Sequence, residues 1–299
     1  MKITRNKRTG EEVRITSWKS HSDPSIGNFS LSFGTSSVPE GFVWNGTRPF
    51  WRTGPWNGQV FTGIPQMNSS YLNGYNVGDD GNETSYITFS YANESYLAMF
   101  VLNWQGKFGG RNWNAEKKEW EGGWNAQTSE CDVYGTCGAF GICSSESSPI
   151  CSCMQGFEPR NKEEWNEKNW ASGCVRRTAL QCETGKSQNG TGNSKGDGFL
   201  RQQMVKVPDF AEWSWVRAED ECRSQCLRNC NCFAYSYDAG IGCMSWSGNL
   251  VDTQQFTREG IDLYIRLANS DLPINGIVIV VILCLMRFFN FNFSLGIGL

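Results

Sequence analysis

The chain has 299 residues, which is more than one small domain requires, so we expect two or three domains. Its formal net charge at pH 7 is -3, which gives no electrostatic reason to expect a nucleic-acid partner. The 33 glycines, 13 tryptophans and 18 phenylalanines are typical of short strands joined by turns. The composition therefore predicts a mainly β protein that does not bind nucleic acid.

The first 23 residues contain a turn at residues 7–10 and a strand-like stretch at residues 12–18. Two strands cannot bury a hydrophobic core, so this segment is predicted to be the tail of a larger domain. The segment is basic at its start, and no apolar run follows. We therefore expect that a signal peptide is missing from this chain.

Short strands recur between turn residues from residue 42 to residue 124, most clearly at residues 85–91 and 96–102. No helical period is visible, which predicts an all-β domain. We interpret its tryptophans as core and interstrand packing in preference to a platform for sugars. The Asn-x-Ser/Thr sequons that we expect to be glycosylated are Asn28, Asn45, Asn68, Asn82, Asn93 and Asn189.

Twelve of the 13 cysteines lie within residues 131–243, which predicts an oxidising compartment, and Cys284 stands alone as an expected free thiol. Cys222, Cys226 and Cys230 recur every fourth residue and would share one face of a helix. Two interpretations of this face are open at this point. The cysteines staple the helix by disulfides, or they bind zinc.

Residues 274–286 are apolar but fall short of the roughly 20 residues that span a bilayer. Arg287 interrupts the run, and no basic stop-transfer cluster follows it. We expect a short C-terminal apolar helix that attaches the chain to a membrane.

Several ordered motifs point to a family. The sequence WRTGPWNG at residues 51–58 precedes FTGIP at residues 61–65, and a six-cysteine unit opens with CDVYGTCGAFGIC at residues 131–143. These motifs resemble the S-locus glycoprotein family of plants, which includes the ectodomains of S-domain (G-type lectin) receptor-like kinases. The resemblance covers about residues 12–272.

The resemblance implies a mainly β, multidomain fold, with a lectin-like β-prism followed by disulfide-rich EGF-like and PAN/apple (α+β) modules. The implied division is a C-terminal remnant of a first bulb-type lectin domain (1–23), an S-locus glycoprotein or second lectin-like domain (24–127), an EGF-like module (128–181), a PAN/apple module (182–268), and a juxtamembrane and partial transmembrane segment (269–299). The implied disulfides are Cys131–Cys143, Cys137–Cys151, Cys153–Cys174, Cys182–Cys230, Cys222–Cys243 and Cys226–Cys232.

The function implied by the resemblance is the extracellular ligand-recognition and dimerisation region of a plant S-domain receptor-like kinase, in a family that includes pollen recognition. The implied partners are an extracellular protein or peptide ligand, a related receptor in a homo- or heterodimer, and the membrane. The implied location is the plasma membrane, crossed once with the N-terminal region outside, or the secreted fraction. No cofactor and no metal are expected.

The sequence favours other functions less. We expect no kinase activity, because the chain lacks the Gly-rich loop, the His-Arg-Asp triplet and the Asp-Phe-Gly triplet. No other enzyme is expected, because His21 is the single histidine and no nucleophile elbow is present. Calcium at Glu130 and Asp132 would lack the fuller ligand set. A carbohydrate-binding lectin-like glycoprotein and a non-functional gene fragment remain alternatives, although residues 73–80 carry the mannose-site residue types without their spacing.

Overall fold

The computed structural model describes residues 2–34, 37–67, 74–91, 93, 95–183 and 196–273. Within these residues, the N-terminal unit (residues 3–126) has three antiparallel sheets around one core. Its strands are β1 (Ile3–Asn6), β2 (Glu12–Val13), β3 (Ile15–Trp18), β4 (Ile26–Phe33), β5 (Gly41–Asn45), β6 (Arg48–Arg52), β7 (Gly74–Asp79), β8 (Thr84–Ser90), β9 (Ala98–Leu102), β10 (Phe108–Asn114) and β11 (Glu119–Asn125). The sheet orders are β2-β1-β8-β7, β3-β4-β5-β6 and β11-β10-β9.

The first strands belong to this unit. Strand β1 pairs with β8, where Ile3 lies opposite Ile87, and β3 pairs with β4. Ile3 is buried in the same core as Leu31 and Trp51. The strands of residues 1–23 therefore help to complete two of the three sheets of the N-terminal unit, and their assignment to a first lectin domain stays a prediction.

The six-cysteine module (residues 128–181) and the C-terminal module (residues 182–273) share one eight-stranded sheet of order β13-β12-β20-β16-β21-β18-β19-β17. Strand β12 pairs in parallel with β20, which joins the two modules. Their elements are β12 (Gly141–Cys143), β13 (Cys151–Cys153), β14 (Phe157–Pro159), α1 (Lys162–Asn166), β15 (Cys174–Arg176), β16 (Gly198–Lys206), β17 (Glu212–Ser214), α2 (Glu219–Arg228), β18 (Ala234–Asp238), β19 (Gly242–Trp246), β20 (Thr253–Gln255) and β21 (Ile261–Leu267), with short 3-10 helices at Glu130–Asp132 and Asn269–Asp271.

Helix α2 forms where the cysteine spacing predicts a helix. Three acidic residues occupy its first turn, where the helix dipole favours negative charge. It ends with Asn229 as the C-cap, and its buried face consists of Cys222 and Cys226. Cys230 lies beyond the end of the helix, so only two of the three cysteines share the helical face.

Six disulfides join the same pairs that the resemblance implies, and their Cα–Cα distances lie between 5.2 and 5.8 Å. Two of them fix helix α2. Cys222 joins it to Cys243 on β19, and Cys226 joins it to Cys232 in the loop before β18. The zinc interpretation of this helix is therefore wrong, because the sulfur atoms are bonded to each other.

Among the described residues, no helix has both the length and the apolar character that crossing a membrane requires. The predicted C-terminal apolar helix falls in residues 274–299, outside the described part of the chain. The predicted glycosylation sites Asn68 and Asn189 also lie outside it.

Candidate functional site at the junction of the modules

The junction between the modules is built around a buried arginine. Arg52 ends strand β6, inside the WRTGPWNG motif, and its side chain has no exposure to solvent. Its Nε donates to Asp252 Oδ2 at 2.7 Å and its Nη1 donates to Glu40 Oε2 at 2.9 Å. Its Nη2 donates to the carbonyl oxygens of Asp252 and Val207. One guanidinium therefore bonds the N-terminal unit to the C-terminal module.

A buried lysine enters the same junction from β16. Lys206 Nζ lies 2.9 Å from Asp252 Oδ2. Its aliphatic chain passes close to two glycines of the family motifs, Gly54 and Gly63. A Cβ atom at Gly63 would lie 2.6 Å from Lys206 Cδ and 2.6 Å from the carbonyl oxygen of Thr53. A side chain at position 63 would therefore clash with the lysine chain and with the backbone, which favours glycine there.

The six-cysteine module reaches the junction through two successive residues. The backbone N–H of Gly135 donates to Asp252 Oδ1 at 3.0 Å. The hydroxyl of Tyr134 donates to Asp209 Oδ2 at 2.6 Å, and its backbone N–H donates to the carbonyl oxygen of Phe50 at 2.9 Å. Asp252 is thus shared by all three parts of the protein. We call Glu40, Arg52, Lys206, Asp209 and Asp252 the junction cluster.

The junction cluster holds three carboxyl groups and two cationic groups, all nearly or fully buried. Burial raises the pKa of Glu40 to about 7, although the guanidinium of Arg52 opposes this shift. Oε1 of Glu40 has no hydrogen-bond partner among the described residues. Burial would lower the pKa of Arg52, but the neighbouring carboxylates of Glu40 and Asp252 raise it. The cluster is arranged for cross-module attachment, because every strong bond of Arg52 beyond Glu40 goes to the C-terminal module.

A polar cleft of about 190 Å³ lies beside the junction and is lined by all three parts of the protein. On its wall, Gln254 Nε2 lies 3.4 Å from Asp132 Oδ1. The other oxygen of Asp132 accepts the N–H groups of Thr128 and Ser129, each at 2.7 Å. Asp132 thereby holds the start of a 3-10 helix against the cleft.

The remaining predicted site residues are placed as follows. The sulfur atoms of Cys137, Cys143 and Cys151 cluster within 4.8 Å, but each belongs to a disulfide and offers no thiolate to a metal. His21 is exposed. The glycosylation candidates within the described residues are all exposed, namely Asn28, Asn45, Asn82 and Asn93.

Sequence reasoning missed the junction cluster. Arg52 sits within a motif used for the resemblance, yet its two acidic partners are 12 and 200 residues away along the chain. A charged residue between Trp51 and Thr53 in an otherwise uncharged motif with two tryptophans and two glycines was the available signal. Such a residue is buried only if it is paired.

Two family descriptions match the chain. One is an S-locus glycoprotein domain over residues 51–161, and the other is a PAN-like domain over residues 182–253. Arg52 belongs to the first match, whereas Lys206 and Asp252 belong to the second. The junction cluster therefore joins the two matched domains.

Similar curated proteins are G-type lectin S-receptor-like serine/threonine-protein kinases of Arabidopsis thaliana. One is 43% identical over 93% of this chain and 34% of its own length. A second is 44% identical over 88% of this chain and 32% of its own length. A third, named SD1-13, is 39% identical over 97% of this chain and 35% of its own length. The chain spans about a third of the length of these relatives.

The fold and the matches define a mainly β, disulfide-rich protein with an S-locus glycoprotein domain and a PAN-like domain. The chain is a homologue of the G-type lectin S-receptor-like serine/threonine-protein kinases over the part of them that it spans. The resemblance predicted from the motifs is thereby confirmed.

Proposed function

We propose that this chain is the extracellular ligand-recognition and dimerisation region of a plant S-domain receptor-like kinase, and that it has no kinase activity of its own. The homology to receptor-like kinases, over 86% to 97% of this chain, carries the proposal. Its proposed partners are an extracellular protein or peptide ligand and a related receptor. Its proposed location is the plasma membrane, with attachment through residues 269–299.

The disulfides and the exposed sequons support the extracellular part of this proposal. Twelve cysteines paired in six bridges are typical of proteins that mature in an oxidising compartment. Exposed sequon asparagines are accessible for glycosylation. We further propose that residues 128–181 are an EGF-like module and that residues 182–268 are the PAN module.

The junction cluster supports the ligand-recognition part. A receptor ectodomain must keep a fixed orientation between the surface that meets the ligand and the surface that meets a second receptor. The buried bonds of Arg52 and the shared β12–β20 pairing restrict movement between modules. A ligand or a second receptor that contacts one module would therefore meet the other modules in a fixed orientation.

Co-expression tests the proposal. The full chain is directed to the secretory pathway of plant cells by an added signal peptide, together with the full-length relative that is 43% identical. We expect the two proteins to co-precipitate from the cell surface. At equal expression and equal affinity, about half of the receptor pairings would contain this chain, so receptor autophosphorylation should fall about twofold.

A folding control accompanies this test. Cys226→Ser leaves Cys232 unpaired and should cost about 2–5 kcal/mol of stability, which removes a folded C-terminal module. This variant should neither co-precipitate nor reduce phosphorylation. If the unaltered chain reaches the surface and yet does neither, the proposed role is rejected.

A further inference from the structure

One disulfide of the C-terminal module differs from the other five in its exposure to solvent. Cys182 is exposed and Cys230 is half-buried, and Cys182 Sγ lies 4.0 Å from the carbonyl oxygen of Cys230 at the protein surface. In four of the other disulfides both cysteines are at most 4% exposed, and in the fifth Cys174 is fully buried. A thiolate must reach a sulfur atom to exchange with a disulfide, so Cys182–Cys230 is the pair most open to attack.

The exposed disulfide joins the start of the C-terminal module to the end of helix α2. Cys230 lies directly after Asn229, which is the C-cap of the helix. The two cysteines are 48 residues apart along the chain. Reduction would therefore release a long loop if no other contact held its two ends together.

A buried ion pair holds the same two ends without a covalent bond. Asp197 Oδ1 accepts the backbone N–H of Gln181 at 2.8 Å, and Asp197 Oδ2 accepts Nη2 of Arg266 at 3.1 Å. Nη1 of Arg266 then donates to the carbonyl oxygen of Asn229 at 2.9 Å. Gln181 and Asn229 each precede a cysteine of the exposed disulfide by one residue. The side chains of Arg266 and Asp197 are only 4% and 2% exposed, so this second connection lies in the interior.

Two buried disulfides also keep helix α2 in place. The Cys222–Cys243 bond ties the helix to β19, and the Cys226–Cys232 bond ties its last turn to the loop before β18. All four of these cysteines are at most 3% exposed. The helix therefore remains attached to the sheet when the exposed disulfide opens.

We propose that Cys182–Cys230 is a reversible redox modification site, which a dithiol reductant opens while the C-terminal module stays folded. One thiolate of the reductant attacks Sγ of Cys182, the S–S bond breaks, and the thiolate of Cys230 leaves and takes a proton from water. The second thiolate of the reductant attacks the reductant's own sulfur in the mixed disulfide and releases Cys182, which also takes a proton. The reductant leaves as a disulfide, so two electrons have passed to the two cysteines. The inference does not rest on the proposed receptor function.

Reduction of the folded, purified full chain by dithiothreitol, a small dithiol, tests the proposal. Free thiols are alkylated at intervals, and peptide mass spectrometry locates them. Cys182 and Cys230 should become alkylated at least about tenfold faster than the ten cysteines of the other disulfides. The near-ultraviolet circular dichroism should stay unchanged. The melting temperature should fall by about 5–15 °C, because the unfolded chain gains the freedom of the opened loop. Oxidised dithiothreitol should restore the bond.

Variants separate a redox site from a module that simply unfolds in reductant. The double variant Cys182→Ser, Cys230→Ser should fold, and its other ten bonded cysteines should stay as protected as in the unaltered chain. Asp197→Ala removes the interior connection, so reduction should now unfold the C-terminal module. Asp262→Ala is the matched control, because Asp262 pairs with Arg201 in a partly exposed ion pair. This control should respond to reduction as the unaltered chain does.

The proposal is overturned if another disulfide is reduced first or equally fast, or if the opened bond does not re-form. It is also overturned if opening Cys182–Cys230 abolishes the near-ultraviolet circular dichroism of the unaltered chain. Failure of the double serine variant to fold would overturn it as well. The serine variant decides the matter if Asp197→Ala does not fold when oxidised.

Discussion

Arg52 shows how one side chain can hold two domains together. A guanidinium presents five N–H donors in a fixed plane, and in Arg52 they reach two carboxylates and two carbonyl oxygens. A lysine could not replace it, because an ammonium is a point charge without that plane. Removing one partner from a buried ion pair costs more stability than replacing the whole pair with apolar residues, because the remaining charges stay buried.

Arg52→Ala should therefore lower the free energy of unfolding by about 3–5 kcal/mol. The reason is that Glu40 and Asp252 would lose the cation they share and the hydrogen bonds it donates, and Asp252 would keep Lys206 as its cationic partner. Urea unfolding of the full chain, followed by tryptophan fluorescence, measures the change. The control is Arg48→Ala at the exposed start of the same strand, which should change stability by less than about 0.5 kcal/mol. Equal effects of the two variants would contradict the assigned role of Arg52.

Glu40 gives the junction a pH dependence. Burial raises its pKa in the folded chain to about 7 from a usual value of 4.5. Asp209 adds to this rise, and Arg52 and Lys206 oppose it. Between these pH values the unfolded chain has lost the proton and the folded chain still holds it. The stability conferred by this group is therefore full below about pH 4.5 and is lost as the pH rises through about 7.

The measurement for Glu40 compares melting temperatures of the unaltered chain and Glu40→Gln from pH 5 to pH 8. The unaltered chain should lose stability relative to the variant as the pH rises to about 7, and the difference should then level off. Glu116→Gln, at an exposed carboxylate, should run parallel to the unaltered chain. A constant difference between the unaltered chain and Glu40→Gln at all pH values would refute the shifted pKa.

At the scale of the elements, the loop after β6 is fitted to strand β16. Gly63→Ala should destabilise the protein by about 1–3 kcal/mol, because the new Cβ meets both Lys206 Cδ and a backbone carbonyl oxygen at 2.6 Å. Gly122→Ala in β11 is the matched control, because no heavy atom lies within 4 Å of its Cβ position. Thermal unfolding of both variants checks this. Similar melting temperatures would show that Lys206 can move aside.

Elements with a strong local pattern could be predicted from the sequence. The strand expected at residues 85–91 is β8 (Thr84–Ser90), and the helix expected from the spacing of Cys222 and Cys226 is α2 (Glu219–Arg228). Helix α1 was not expected, because it has only one turn and depends on Asn161, whose side chain accepts the N–H groups of two following residues. The parallel pairing of β12 with β20 has no local signal, because it joins segments more than 100 residues apart.

At the scale of the whole molecule, the resemblance predicted which domains are present, but the sequence could not show how they are joined. The cysteine pairs within the modules were implied by the family resemblance and are the pairs found in the structure. The junction cluster depends on Arg52 bonding both Glu40 and Asp252, and no periodicity or motif relates Arg52 to a residue 200 positions away. The placement of residues 3–6 beside β8 was missed for the same reason.

The six disulfides give a prediction for the whole chain. Alkylation of the denatured, unreduced chain should leave all twelve cysteines within residues 131–243 unmodified, because each is bonded to a partner. Peptide mass spectrometry measures this, and a reduced sample in which all twelve are alkylated is the control. Extensive alkylation without reduction would show that the native pairs do not form in the cell.

The sequence separation of Arg52 and Asp252 also determines when their contact can form during synthesis of the chain. Ribosomes add about 5–20 residues per second, so the 200 residues between them take about 10–40 s to make. Throughout that interval, Arg52 has Glu40 but not Asp252 as an ionic partner. For most of it Lys206 has not been made, so the space beside Gly54 and Gly63 lacks the lysine side chain. The N-terminal unit therefore reaches its final form only after the C-terminal module emerges. Synthesis that stops before residue 252 leaves Arg52 without its second carboxylate.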